Sequence, residues 1–178
     1  MEKNNRTGAE ERGSMGEYSV HSLTPADRAR VREFIMQRWG AEIVVAHHVV
    51  YRPHELAGFA ASRGDEIVGL VTLHIIGNAC EIVTLDSVQS GAGIGTVLVE
   101  AAKTFAQQAN CTRLWLITTN DNLNALRFYQ KRSFALVAVH RNALLKSRQV
   151  KPQIPLIGNH GIPLRDEIEL EMILDDEK

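Results

Sequence analysis

Apolar residues recur along this chain with two different periods, and each period predicts a different kind of secondary structure. In residues 167–174 apolar residues alternate strictly with polar ones, which are mostly glutamates. Alternation of this kind places the two sets on opposite faces of an extended chain, which predicts a half-buried strand at a sheet edge. In residues 97–109 the apolar residues instead follow helical spacing and form one face of a predicted helix.

The remaining elements follow from the same patterns and from residues that begin or end helices. Thr24 and Pro25 suit the cap and the first position of a helix, and Gly40 suits its end. Residues 41–55 hold a β-branched run and then a loop, and residues 140–165 are predicted to form a long excursion rich in Pro and Gly. Further strands are predicted at residues 18–20, 56–62, 66–76, 81–86, 113–119 and 134–139, with a helix at residues 123–131.

The order of these elements selects the fold class. Along the chain it is strand, helix, three strands, helix, strand, helix and two strands, which differs from the regular alternation of a doubly wound parallel sheet. We therefore predict an α/β (α+β) fold with a mixed, mainly antiparallel central sheet flanked by helices. One domain is expected at this length, over residues 17–178, after a polar disordered tail at residues 1–16.

Composition narrows the classes of function. The formal net charge is -1, which argues against a nucleic-acid protein held by a broad basic surface. No apolar run approaches the length of a membrane helix, and residues 1–16 lack the apolar core of a signal peptide. Cys80 and Cys111 lie far apart in no metal-ligand spacing and suit a reducing compartment. We expect a cytoplasmic protein with no membrane or nucleic-acid partner.

A glycine-rich turn, Gln89-Ser90-Gly91-Ala92-Gly93-Ile94-Gly95-Thr96, lies between a predicted strand and a predicted helix. Alternate glycines leave the backbone N–H groups of the turn unshielded, and the helix that follows points its positive N-terminal end at them. Such a turn predicts an anion site, and phosphate is the usual ligand.

Three other interpretations of this turn are possible. A dinucleotide-binding fingerprint requires G-x-G-x-x-G after the first strand of a domain, whereas this spacing is G-x-G-x-G halfway along the chain. A nucleoside-triphosphate loop requires Lys before Ser or Thr after its last glycine, where this chain has Thr96 and Val97. A tight turn without a ligand is the remaining alternative.

A second motif downstream changes the balance between these interpretations. It comprises the residues Trp115-Leu116-Ile117-Thr118-Thr119-Asn120-Asp121-Asn122 and then Ala125-Leu126-Arg127-Phe128-Tyr129-Gln130-Lys131-Arg132-Ser133-Phe134. Together with the glycine turn, in this order and at this spacing, it resembles the GNAT superfamily of acetyl-CoA-dependent N-acetyltransferases. The resemblance covers roughly residues 81–139. A further run, from Gly158 to Glu171, looks like a branch of that family without an assigned substrate.

The resemblance implies a site for acetyl-CoA. In the family the CoA pyrophosphate lies on the backbone of the glycine turn, which corresponds here to Gly91, Ala92, Gly93, Ile94, Gly95 and Thr96. The pantetheine arm pairs like an added strand with the end of the preceding strand, which corresponds to Val83, Thr84 and Leu85. Asn122 stands where an Asn often contacts the cofactor, although it also suits a helix cap. Ser90 departs from the Arg or Gln that is usual there.

The resemblance also implies one catalytic residue. Tyr129 matches the tyrosine that protonates the departing CoA thiolate, and an O–H group beside the developing charge would lower the barrier. Packing within the core is the alternative role for this side chain. Ser133 stands where the family usually has Gly, so a positive φ at this position would carry a small cost.

The general base is less defined. Attack by an amine requires the neutral form, and a free alkyl amine has a pKa near 10, so a base or a chain of waters must take the proton. Some family members carry a Glu at the position of Ile117, and Glu81 is the best remaining carboxylate. His47, His48 and His74 are other candidates, each more consistent with a structural role. We expect no metal site, since no carboxylate or cysteine completes a recognised spacing with the histidines at 47, 48 and 54.

The acceptor is not specified by these motifs. Trp39 and Tyr51 occupy the region that forms the acceptor pocket in the family, and an aromatic wall there would suit an amine. We therefore expect a small-molecule amine or a peptide amine as the partner, and a homodimer formed through the C-terminal edge strand. A CoA-binding regulatory module without turnover is the alternative function.

Overall fold

The computed structural model describes residues 18–89 and 91–174. The predicted disordered tail lies outside these residues, as does Ser90. Four helices are described, α1 (Arg28–Trp39), α2 (Ile94–Gln108), α3 (Leu123–Gln130) and α4 (Ala143–Val150). The described strands are β1 (Ser19–Ser22), β2 (Val44–Ala46), β3 (Val49–Tyr51), β4 (Ala57–Arg63), β5 (Glu66–Ile76), β6 (Ala79–Ser87), β7 (Arg113–Thr119), β8 (Ala135–His140) and β9 (Glu167–Ile173).

A seven-stranded sheet in the order β1-β4-β5-β6-β7-β9-β8 forms the centre of the molecule. Neighbouring strands are antiparallel except for the parallel pair β6–β7, which is connected through α2. The predicted fold class is therefore confirmed. Because parallel strands need a crossover connection, the glycine turn and α2 lie directly beside this pair.

The two faces of the sheet are covered by different elements. On one face α2 packs over the main core, which includes Leu98, Leu114 and Leu170. On the other face α1 packs its apolar side over β4 and β5. The hairpin of β2 and β3 covers the middle of that same face, where Tyr51 contacts Val83. We call this second side the hairpin face.

The prediction that the C-terminal strand lies at a sheet edge is wrong. β9 pairs with β7 on one side and with β8 on the other, so β8 is the edge strand. The glutamates of β9 do not point into solvent as an edge strand would allow. Glu169 and Glu171 pair with Arg113 of β7, and Glu167 is buried beneath the hairpin. The alternation correctly predicted that the apolar and polar residues of β9 lie on opposite faces. It did not show that the glutamates on the polar face are paired or buried.

Two short elements were missed by the sequence patterns. α4 lies within the predicted excursion, where Ala143 and Leu144 pack against Leu164. The β2–β3 hairpin lies within residues 41–55 and is joined by His47 and His48, both at positive φ. Such turns are normally signalled by Asn or Gly, so this one carried no sequence signal.

Gly69 of β5 lets α2 approach the sheet closely. A Cβ atom at this position would lie 2.3 Å from Cγ2 of Ile94 and 3.1 Å from Cδ1 of Leu98. We predict that Gly69→Ala lowers the free energy of unfolding by about 1–3 kcal/mol, because the first turn of α2 must move away from the sheet. Urea-induced unfolding measures this loss.

Val97→Ala is the matched control, since Val97 lies on the exposed side of the same helical turn. Its free energy of unfolding should stay within about 0.5 kcal/mol of the parent protein. Equal stability of Gly69→Ala and the parent would contradict the close packing.

Candidate functional site

A cleft opens where β6 and β7 separate. The two strands pair only from Ala79–Ile82 on β6 with Arg113–Leu116 on β7. Beyond this rung β6 continues to Ser87 and β7 to Thr119, but the strands diverge. Backbone groups that point from the end of β6 into the gap therefore have no strand opposite them. An extended ligand could pair with them as an added strand.

A bulge adds to the opening at this point. Thr72 of β5 pairs with Thr84 and Leu73 pairs with Ile82, so Val83 is the extra residue on β6. β-Bulges bend a strand and redirect its side chains, and they occur often beside functional sites. The bulge lies at the last rung before the strands part.

The cleft holds a cavity of about 400 Å³. Of the site residues predicted from sequence, Val83, Thr84, Leu85, Gly95, Asn122 and Tyr129 line it. Ile117 forms part of its apolar wall, at the position where the resemblance would place a carboxylate. Other lining residues are Arg38, Trp39, Ile82, Asp86, Ser87, Leu116, Thr118, Asn124, Ala125 and Phe128. Glu81 is not among them.

The glycines of the turn serve two different physical needs. Gly91 and Gly93 adopt left-handed backbone conformations, with φ of 81° and 76°, and Gly93 caps α2. Gly95 lies within the helix, where a Cβ atom would lie 3.2 Å from the ring of Phe128. The first N–H groups of α2 have no acceptor within the helix, so its N-terminus offers donors to an anion. Ile94 buries its side chain in the core and contributes only its backbone to this surface.

A cation that the sequence motif did not predict lies beside this turn. Arg132 donates a hydrogen bond from Nη2 to Oγ1 of Thr96 and another from Nη1 to the carbonyl of Phe128, at 2.8 Å. Its guanidinium lies 3.6 Å from the centre of the Phe128 ring. Arg132 thus places a fixed positive charge next to the first turn of α2. In the sequence Arg132 was only one of three basic residues near the end of α3, with Arg127 and Lys131.

Asn122 and Tyr129 are both carried by α3. The Asn122 side chain caps the helix by accepting a hydrogen bond from the N–H of Ala125, at 3.2 Å, and the residue also lines the cavity. Tyr129 packs edge-on between Phe128 and Phe134, with ring centroids 5.1 and 5.2 Å away. Burial, reinforced by the charge of Asp86, raises the pKa of the Tyr129 hydroxyl, so it stays protonated at neutral pH.

Ser133, which follows α3, has a φ of 65°. The backbone does adopt a positive φ at this position, although the residue is not Gly. Serine has a Cβ atom, so this backbone conformation is less favourable for it.

A carboxylate of the cavity wall was also missed. Asp86 accepts a hydrogen bond from Nε1 of Trp39 and lies 3.5 Å from the guanidinium of Arg38. Burial raises the pKa of its carboxyl group above the ordinary value. The exposed fraction of Trp39 is 40%, so this side chain is a wall of the cavity and not part of the core. Only the position of Asp86 at the end of an apolar strand could have indicated it.

Glu81 lies beneath the hairpin and not on the cavity surface. Its exposed fraction is 1%, and both carboxylate oxygens have partners. The hydroxyl of Tyr51 donates to Oε2 at 2.7 Å, and Nε2 of His47 lies 2.9 Å from Oε1. Tyr51 is itself buried and does not line the cavity, so it positions Glu81 and His47.

His47 and His48 form the two-residue turn of the hairpin, with φ of 35° and 70°. The backbone N–H of His47 donates to Oε2 of Glu167, at 3.1 Å, which ties the turn to β9. Burial raises the pKa of Glu167 above its ordinary value. Positive φ at two residues with bulky side chains is uncommon and often marks a functional segment.

The run from Gly158 onward holds the loop between β7 and α3. Asp121, which is buried, accepts hydrogen bonds from the backbone N–H and the side-chain amide of Asn159, at 2.7 and 2.8 Å. A Cβ atom at Gly158 would lie 2.2 Å from Oδ2 of Asp121, so only glycine fits there. The side chain of Thr119 completes the contacts of Asp121.

Asn120 joins the same loop to the end of this run. Its Oδ1 accepts from the N–H groups of Arg165 and Asp166, at 3.0 and 2.9 Å, and its Nδ2 donates to the carbonyl of Pro163. The run of residues 158–166, to which the sequence assigned no chemistry, therefore holds residues 120–122 in place. We call these contacts the clasp. This is the loop that starts α3 and so places Asn122 and Tyr129.

No helix in the described part of the chain is long and apolar enough to cross a membrane. Within residues 18–89 and 91–174 no group of three or more His, Cys, Asp or Glu side chains is arranged to hold a metal ion.

Comparison with known proteins identifies this architecture. Residues 21–134 match the model of the acetyltransferase (GNAT) family. The uncharacterized protein YdhI of Bacillus subtilis (strain 168) is 43% identical over 160 residues, which cover 89% of this chain and 95% of that protein.

Two solved structures share the fold. An acetyltransferase from Bacillus subtilis, in complex with CoA, has a TM-score of 0.62 at 19% identity and matches 89% of this chain and 100% of its own. A GNAT family acetyltransferase from Elizabethkingia anophelis with acetyl-CoA bound has a TM-score of 0.61 at 21% identity, over 88% and 98% of the two chains.

The contacts of Asp121 lead to a test of the clasp. We predict that Asp121→Ala lowers the free energy of unfolding by about 1–3 kcal/mol, because the donors of Asn159 and Thr119 lose their charged, buried acceptor. Residues 151–163 should also be cleaved faster in limited proteolysis. Glu100→Ala, on the exposed side of α2, is the control and should change neither measurement. An unchanged proteolysis rate in Asp121→Ala would show that the clasp does not hold this segment.

Proposed function

The chain belongs to the GNAT family of acetyltransferases, and from that premise we propose that it transfers an acetyl group from acetyl-CoA to a primary amine. The transfer proceeds by direct attack of the amine on the thioester within a ternary complex. No nucleophilic side chain is required, because the amine itself forms the new bond. Cys80 and Cys111 are buried in the core and do not line the cavity.

One observation carries the proposal. The strands β6 and β7 part after the Ile82–Leu116 rung, and the resulting cavity contains Tyr129 at its wall. A cleft between two strands accommodates an extended arm bearing amide groups, such as pantetheine, through the free backbone groups of Val83, Thr84 and Leu85. The hydroxyl of Tyr129 then lies beside the thioester end of that arm.

The phosphate end of the cofactor is assigned to the glycine turn. The backbone of residues 91–96 and the N-terminus of α2 offer donors and a positive dipole to the pyrophosphate. Arg132 adds a full charge beside Thr96, which supplies the cation that position 90 lacks. Asn122, on the opposite wall, contacts the arm while it caps α3. Both of the solved structures described above contain CoA or acetyl-CoA.

Tyr129 is assigned the role of general acid. The developing thiolate needs a proton, and a phenol whose pKa is raised by burial stays protonated until that charge appears. Asp86 disfavours ionisation of Tyr129 in the resting state, since its negative charge raises the same pKa. The residue is held rigidly by Phe128 and Phe134, so its hydroxyl does not need to be reorganised during the reaction.

Glu81 is assigned to the removal of the proton from the amine. It lies one residue before the end of the paired region of β6, next to the cleft. Because its oxygens are enclosed by Tyr51 and His47, it acts through a neighbouring group or a water and not by direct contact. The acceptor approaches from the hairpin face, between Trp39 and the hairpin.

A CoA-binding module without turnover is the second candidate. It is favoured by the apolar side chain of Ile117 in the cavity wall. None of the residues of β7 that line the cavity carries a carboxylate. The test is release of free thiol from acetyl-CoA with a panel of amines that includes peptide N-termini and small polyamines. Sustained release with one amine supports the enzyme, whereas tight CoA binding with no release across the panel supports the binding module.

The acid role predicts the effect of removing one oxygen atom. Tyr129→Phe keeps the aromatic packing and should lower kcat by on the order of 10²-fold, because the thiolate then leaves unprotonated. Affinity for CoA should change little, which equilibrium binding measures beside the steady-state rates. An unchanged kcat in a folded Tyr129→Phe protein would show that another group supplies the proton.

The charge beside the glycine turn predicts a ligand-specific effect. Arg132→Met should weaken CoA binding by about tenfold, since a charge-assisted hydrogen bond to phosphate is lost. Binding of pantetheine, which has no phosphate, should be unchanged, and titration calorimetry with both ligands separates the two cases. Lys131→Met is the matched control on the exposed neighbouring residue. Equal loss for both ligands would mean that Arg132 only holds α3 in place.

A further inference from the structure

We infer that His47, oriented by Glu81, is the group that takes the proton from the acceptor amine. The inference rests on the proposed function and assigns the role of general base to one atom, Nδ1 of His47. Glu81 then acts as a positioning residue behind the imidazole, although sequence alone favoured it as the base.

The hydrogen bonds of His47 leave one ring nitrogen available. Nε2 lies 2.9 Å from Oε1 of Glu81, and an acceptor-only carboxylate requires that this nitrogen carry the hydrogen. Nδ1 therefore holds the lone pair, and it makes no hydrogen bond within residues 18–89 and 91–174. The side chain of His47 is 24% exposed, compared with 1% for Glu81. The imidazole is thus the accessible end of the pair.

The pair lies at the closed end of the cleft. Glu81 stands opposite Trp115 on the rung directly before Ile82–Leu116, which is the last rung before the strands part. The ring of His47 packs on Trp115 with a centroid distance of 5.3 Å. Glu81 and Trp115 share the hairpin face with the cavity residues Val83 and Ile117. The imidazole therefore lies one rung from the cavity, on the face proposed above for the approach of the acceptor.

Several contacts fix the imidazole at this place. The Tyr51 hydroxyl is 3.3 Å from Nε2 of His47 while it donates to Glu81, and Oε2 of Glu167 accepts the backbone N–H of His47. The turn that presents the ring has an unfavourable backbone conformation, with positive φ at His47 and His48. These contacts hold the ring of His47 in one orientation beside Glu81.

The proton and electron balance closes with residues already described. The acceptor ammonium gives one proton to Nδ1 of His47, and the neutral nitrogen attacks the thioester carbon. A C–N bond forms and the C–S bond breaks, with its electron pair leaving on sulfur. Tyr129 protonates that sulfur and regains a proton from the nitrogen as the amide forms, and His47 releases its proton to water. Ammonium and thioester thus become amide, thiol and one proton.

The surroundings of His47 set the pH at which it can accept. The hydrogen bond to Glu81 raises the pKa of His47, burial opposes this effect, and the charges of Glu81 and Glu167 add to the rise. Other titratable groups lie on the strands around the hairpin and on the adjacent helix α4 with its C-terminal end. Those on the hairpin and the strands are His48, Tyr51, His74, Arg113 and His140, and those on α4 and its end are Lys146, Arg148 and Lys151. Below its raised pKa the imidazole is protonated and cannot accept a proton, so kcat should rise with pH through that pKa and then level off.

Two variants and two controls test the role of His47 through the pH dependence of kcat. His47→Asn, which tolerates positive φ, should lower the maximal kcat by on the order of 10²-fold and abolish the acidic limb. Glu81→Gln should move that limb to lower pH, because the charge that raises the pKa is gone while burial remains. His48→Asn changes the other turn residue and should keep both the limb and a rate near that of the parent. Asp86→Asn should also keep the limb.

The opposite pattern would overturn the inference. If His47→Asn keeps the limb while Glu81→Gln abolishes it, Glu81 accepts the proton directly; if only Asp86→Asn abolishes it, Asp86 does. NMR titration of the imidazole resonances, without acetyl-CoA, gives a separate measurement. The signal lost in His47→Asn should titrate above the ordinary value of about 6.5 and should shift down in Glu81→Gln. Absence of transfer to any amine overturns the proposed function and this proton-acceptor role together, while the titration still decides whether the pair exists.

Discussion

The separation of two parallel strands is the constraint on which the rest of the structure depends. β6 and β7 need a crossover to run in the same direction, and α2 provides it. The strands then part, which leaves backbone groups at the sheet centre that require either a ligand or water. The bulge at Val83, the short glycine turn and the close approach of α2 to Gly69 all shape this opening. Even the clasp formed by residues 158–166 acts on it, because it holds the loop that follows β7.

Buried charge is the second organising feature, and it explains the order of the strands. Carboxylates under the hairpin would be costly without partners, since burial of an isolated charge is strongly unfavourable. Glu81 and Glu167 find donors in the hairpin, and Glu169 and Glu171 find Arg113. β9 can therefore occupy an interior position although three of its seven residues are glutamates. Glu81 and its partners lie beside the closed end of the cleft, on the hairpin face.

Much of the fold could be predicted because its signals are local. Thr24 and Gly40 delimit the first helical segment as expected, β7 has the predicted bounds, and the glycine turn precedes α2. The wrong or missed predictions concern features that depend on residues distant in the sequence. The neighbours of β9 depend on partners more than 50 residues away, such as Arg113. The hairpin turn has His47 and His48 where a turn signal would have Asn or Gly. The sequence therefore indicated a structural role for His47 and not its contact with Glu81.

The functional site could likewise be predicted only in part. The motifs placed Tyr129, Asn122 and the end of β6 on one cavity, because each motif lies at the end of an element that borders the cleft. Asp86 and Arg132 were missed because their roles depend on contacts with Trp39 and Thr96, which lie on other elements. Glu81 was selected by elimination, and its enclosure by Tyr51 could not be inferred without the position of the hairpin.

The backbone of the β2–β3 turn has a consequence for attempts to stabilise this protein. Asn-Gly is the dipeptide that a two-residue turn of this kind prefers, and a design procedure that rewards relaxed backbones would introduce it in place of His47 and His48. The hairpin would gain stability, but the imidazole proposed as the proton acceptor would be lost. Thermal melting alone would rank such a variant as an improvement. If turnover depends on that imidazole as proposed, selection for heat resistance and selection for turnover would favour different residues at this turn.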